Sequence, residues 1–71
     1  MLKTEYIRDA HNLLIGTLTT GLANGDIVVR DRNGKILGHA NTVFHTTRDA
    51  DGRLISRNTA DPGLLFELHN Q

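Results

Sequence analysis

Cysteine and tryptophan are missing from this chain, proline occurs once, and the aromatic residues are two Phe and one Tyr. Without cysteine there is no disulfide and no thiolate metal site. Few aromatics mean few large core anchors and few platforms for stacking a base or a sugar ring. No sign of charge dominates: eight basic residues balance eight acidic ones, which argues against a general nucleic-acid or membrane-surface role. No apolar run approaches a membrane span. The segment Met1-Leu2-Lys3-Thr4-Glu5 lacks the apolar stretch of a secretory signal, so a cytoplasmic location is expected. A chain of 71 residues is a single small domain that buries only roughly 60% of its unfolded surface. With disulfides excluded, association with itself as a homodimer or higher oligomer is the expected reinforcement.

What the chain does contain is one phrase written three times. Arg8-Asp9-Ala10-His11-Asn12-Leu13-Leu14-Ile15-Gly16 aligns without gaps to Arg30-Asp31-Arg32-Asn33-Gly34-Lys35-Ile36-Leu37-Gly38 and to Arg48-Asp49-Ala50-Asp51-Gly52-Arg53-Leu54-Ile55-Ser56. The spacing is that of one supersecondary unit per copy. Asp31 suits the first position of a turn because its carboxylate accepts backbone N–H groups, and Gly34 suits the fourth because it tolerates positive φ. Asp49 and Gly52 repeat the pattern. Asp9 and Asn12 form its variant, asparagine being the next most tolerant residue. Each copy therefore predicts a β-hairpin closed by a type I turn with a glycine bulge.

That turn predicts a register. Asp31 falls opposite Lys35 and Asp49 opposite Arg53, as charge pairs at the tips. Arg8, Arg30 and Arg48 oppose Leu14, Ile36 and Leu54, and one step further Ile7, Val29 and Thr47 oppose Ile15, Leu37 and Ile55. Alternation gathers Ile7, Ile15, Val29, Leu37 and Ile55 on one face, the expected core. The other face mixes the three arginines with Leu14, Ile36 and Leu54, and continuing the register sets Tyr6 over Gly16 as aromatic cover. Repeats are expected at about 4–20, 26–42 and 44–60. The turn Ala60-Asp61-Pro62-Gly63 then leads to a C-terminal strand over 63–69, with a short helix as the alternative. The fold class expected is all-β, a meander of three hairpin repeats with a closing strand, about seven strands in all.

The third copy resembles the YD repeat of bacterial Rhs-type proteins, whose units centre on Tyr-Asp-x-x-Gly-Arg-Leu. Asp49, Gly52, Arg53 and Leu54 match, while Arg48 stands at the tyrosine position, as Arg8 and Arg30 do in the other copies. The pattern is also similar to small hairpin-repeat proteins of bacterial chromosomes and mobile elements. The resemblance implies a hairpin-repeat sheet. It does not bring the encapsulating shells of Rhs-type proteins, which need many more repeats than three.

Chemistry is sparse. Asp49-x-Asp51-Gly52 has the start of a calcium loop, but the twelfth position is Ala60 and offers no carboxylate. His11, His39, His45 and His69 lack zinc-site spacing, so no metal and no cofactor is expected. Ser56 is the single serine and sits in no nucleophile elbow. The repeated aspartates already serve turns, and no enzyme activity is expected. The feature that invites binding is the arginine row, Arg8, Arg30 and Arg48, with Tyr6 beside it. Guanidinium groups at equivalent positions suit an acidic protein surface. The expected function is a non-catalytic protein-interaction or structural module, an accessory or inhibitor protein of a mobile element, with a protein partner. One alternative is nucleic-acid binding through the arginines, which the neutral total disfavours. A second is a carbohydrate-binding repeat module using the Asp and Asn tips.

Overall fold

A computed structural model describes residues 2–69, with side chains through Phe66. Six strands, β1 (Lys3–Arg8), β2 (Leu14–Thr20), β3 (Asp26–Asp31), β4 (Ile36–Asn41), β5 (Thr46–Asp49) and β6 (Leu54–Ser56), precede one helix, α1 (Pro62–His69). The strands form a single antiparallel sheet in chain order. The all-β meander expected from the repeats is the fold. Among the described residues, no helix is long and apolar enough to cross a membrane.

The three hairpin tips share one set of backbone and aspartate hydrogen bonds. Asp9, Asp31 and Asp49 each donate their N–H to the carbonyl of Leu13, Lys35 and Arg53, at 3.0, 2.8 and 2.9 Å. Each aspartate Oδ1 accepts two backbone N–H groups inside its own turn, for Asp31 those of Asn33 and Lys35, both at 2.9 Å. The fourth turn residue has positive φ in every copy: 63° at Asn12, 87° at Gly34 and 85° at Gly52. The carboxylate is thus committed to the backbone. Among the described residues, Asp49 and Arg53 form no ion pair.

Beyond the arginine pairs the register departs from expectation. Arg8, Arg30 and Arg48 do face Leu14, Ile36 and Leu54, but Ile7, Val29 and Thr47 face Gly16, Gly38 and Ser56. The extra residue in each return strand, Ile15, Leu37 or Ile55, is accommodated as a β-bulge. The bulge keeps these apolar side chains and the following small residue on the same side.

The C-terminal strand expected over 63–69 is instead the helix. Asp61 caps it: its Oδ1 accepts the Gly63 N–H at 3.0 Å and its carbonyl accepts Leu64 N–H at 3.1 Å. Pro62 occupies the first helical position, where its missing N–H costs nothing. A seventh strand would have lengthened the sheet and left its apolar face in water. The helix lies across that face and contacts β2, β3, β4 and β5. Val29, Leu65 and Phe66 form the buried cluster, with Ile7, Ile15, Leu18, Leu37 and Ile55 packed around it. Ala40 and Thr47 are wholly buried beside them.

Aromatic cover of Gly16 comes from the helix and not from Tyr6, which faces Thr17 on the opposite side of the sheet. A Cβ at Gly16 would overlap the Phe66 ring and the Arg30 carbonyl oxygen, and one at Gly38 would overlap Leu65 and the Arg48 carbonyl oxygen. Gly16 faces Asp31 and Gly38 faces Asp49, so each glycine is where the next repeat docks. Ser56 in the third copy has no hairpin after it and keeps its side chain.

Candidate functional site

The face of the sheet turned away from α1 carries the arginines. Two rungs organise it. One runs Thr4, Thr19, Val28, His39, Arg48, Leu54, and the other Tyr6, Thr17, Arg30, Ile36. The arginines therefore do not form a row. The ladder brings Tyr6 into line with Arg30, and Val28 into line with Arg48, so each arginine lies two residues further along the sheet than the last. From strand spacing and rise, successive arginine Cα atoms are about 12 Å apart on a diagonal.

Their side chains divide into two roles. Arg8 Nη1 donates to the Asn12 carbonyl at 3.2 Å and Arg48 Nη1 to the Gly52 carbonyl at 3.0 Å, each clamping its own turn. Arg30 reaches sideways, donating to Thr19 Oγ1 on β2 at 3.2 Å. A monodentate clamp leaves most donors of a guanidinium pointing outward. Tyr6 is 66% exposed on the edge strand, remote from Arg48 by four strands of sheet.

Arg48 lines a concave surface. It sits with His39, its direct cross-strand partner, in an open cleft of about 710 Å³ also lined by Asn24, Asp26, Asn41, Phe44 and Thr46. The acidic side of this cleft is already engaged. Asp26 accepts the Asn41 amide at 2.5 Å and the Asn24 amide at 3.2 Å, while Asn41 Oδ1 accepts the N–H groups of Val43 and Phe44, both at 2.9 Å. These bonds tie the β2–β3 connection to the β4–β5 connection. They also hold Phe44 out into solvent, 73% exposed at the rim. Among the described residues neither His39 nor Arg48 has a carboxylate within 4 Å. The cleft thus presents the Arg48 guanidinium, the His39 imidazole, an amide-bonded carboxylate at Asp26, the exposed Phe44 ring and the Thr46 hydroxyl.

Sequence reasoning missed His39, Thr46 and Phe44 as neighbours of Arg48. The signal was present, since residues alternating along β4 and β5 share a face, but it needed the register between the strands. No group of three or more His, Asp or Glu is placed to hold a metal among the described residues. Compared with protein-family models, with curated proteins and with solved structures, the chain shows no match in any of the three.

Proposed function

We propose that this chain is a non-catalytic protein-interaction module whose uncovered sheet face holds an acidic segment of a partner protein. The observation that carries this reading is the cleft over β3, β4 and β5, where His39 and Arg48 have no carboxylate within ion-pair distance beside the exposed Phe44, and the lining carboxylate Asp26 is held by the amides of Asn24 and Asn41. A glutamate or aspartate side chain meets a guanidinium and an imidazole there, and an apolar neighbour packs on the phenyl ring. Arg30, about 12 Å away on the diagonal, is positioned for a second carboxylate three or four extended residues along. In this reading the protein acts by occupancy, as a cytoplasmic accessory or inhibitor protein.

The test is an amide chemical-shift titration with a short Glu-rich peptide containing one leucine, at low salt. Shifts confined to His39, Thr46, Arg48 and Phe44, and abolished by Arg48→Ala, are expected. A single-stranded oligonucleotide that binds the same face more tightly, with affinity falling steeply in salt, would move the assignment to nucleic acid. An unperturbed spectrum with millimolar peptide would refute the reading.

A further inference from the structure

The repeat leaves one of its own interfaces unfilled. In the first hairpin Asp9 N–H donates to Leu13 across the turn. Alternation therefore turns the backbone groups of Ile7, Glu5 and Lys3 toward β2 and those of Arg8, Tyr6 and Thr4 outward. Arg8 and Tyr6 are the repeat counterparts of Arg30 and Val28 in β3, and of Arg48 and Thr46 in β5. Those counterparts are all paired, Arg30 and Val28 with Thr17 and Thr19, Arg48 and Thr46 with His39 and Asn41. Among the described strands, this edge is left unpaired in β1.

The far edge of the sheet cannot fill it. By repeat equivalence, β6 of another copy would bring Ser56 opposite Asp9 and Arg57 opposite Arg8, setting like charges against each other. The chain also leaves the sheet after Ser56. Thr47 Oγ1 donates to the Thr59 carbonyl at 2.7 Å and accepts Asp61 N–H at 3.0 Å, drawing residues 57–61 toward the helix. Head-to-tail growth is closed at that end.

We infer that two copies of this chain pair antiparallel through β1 about a two-fold axis at Thr4, joining their sheets into one. In that register Lys3 faces Glu5 of the second copy, twice over by symmetry. Leu2 and Tyr6, 62% and 66% exposed in the single chain, cover one another on the outer face. The neighbouring registers are blocked: a two-residue slip one way sets Lys3 against Lys3, the other way Glu5 against Glu5. Charges on an edge strand ordinarily repel other strands. Here their order repels unrelated strands and complements a second copy. The contact is isologous, so it closes at the dimer.

Sedimentation equilibrium over a micromolar to millimolar series tests this, with circular dichroism as the folding control. The wild-type chain is expected to show a monomer–dimer equilibrium. Thr4→Pro removes an outward N–H while sparing the β1–β2 ladder, as proline does on an edge, and should sediment as a folded monomer. Glu5→Lys should weaken the dimer about tenfold by setting Lys3 against lysine. The exchange Lys3→Glu with Glu5→Lys should restore it. Should Thr4→Pro fail to fold, the charge series decides alone. A wild-type monomer throughout, assembly beyond the dimer, or a charge exchange that does not rescue would overturn the inference. None of these outcomes touches the acidic-segment reading, because the cleft lies on β3 to β5.

Discussion

Gly16 and Gly38 do a job that the repeat assigns to them and withholds from Ser56. Each glycine lets the following hairpin and the helix close in from two sides, and a methyl group there meets the backbone oxygen of the next arginine and the tip of Leu65 or Phe66. Gly16→Ala and Gly38→Ala should each destabilise the fold by about 1–3 kcal/mol, the usual range for overpacking a tight site. Ser56→Ala, at the same repeat position with no hairpin beyond it, should stay within about 0.5 kcal/mol of wild type. Urea unfolding of the three variants checks this, and equal losses at all three would contradict the account of the glycines. The same contrast explains why the third copy departs from glycine at all.

Among the elements, the junction leading into α1 is tied to the sheet by one hydroxyl. Thr47 is wholly buried in β5, and its Oγ1 joins the sheet to both Thr59 and Asp61, where the helix begins. Thr47→Val keeps the shape and strands a carbonyl and an N–H, at a cost of about 1–3 kcal/mol. Thr47→Ser should recover most of it. Amide exchange should show the loss first in α1 and residues 57–61, with β3 and β4 still protected. Uniform loss over the whole sheet would mean that the hydroxyl supports the core and not the helix junction. Alternation of side chains made the strands legible in advance, and Asp-x-x-Gly made the turns legible. The bulges were not legible, because Ile15, Leu37 and Ile55 are apolar in either register. Nor was the helix, since Leu64-Leu65-Phe66 is apolar enough to serve as strand or helix and only the need to cover the sheet decides between them.

At the scale of the molecule, burial is concentrated in the middle of the sheet. Val29 and Ala40, on adjacent central strands, are fully buried, while every residue of β1 except Ile7 is exposed. Hydrogen exchange in dilute solution should therefore be slowest at Val29 and Ala40 and fastest at Thr4 and Tyr6. Raising the concentration should slow Thr4 and Tyr6 selectively if β1 pairs with a second copy. The candidate site follows the same geography. It lies over β3 to β5, where the sheet is best supported, and Arg8 at the edge serves its own turn.

From the sequence alone come the three hairpins, their turn residues and the apolar set Ile7, Ile15, Val29, Leu37 and Ile55, because turn chemistry and alternation act over neighbouring residues. The tertiary structure alone decided that the arginines lie on a diagonal, that His39 and Phe44 join Arg48, and that the chain ends its fold with a helical lid. Those outcomes depend on how one hairpin docks beside the next and on which face must be kept from water, and both are set by contacts between residues distant along the chain.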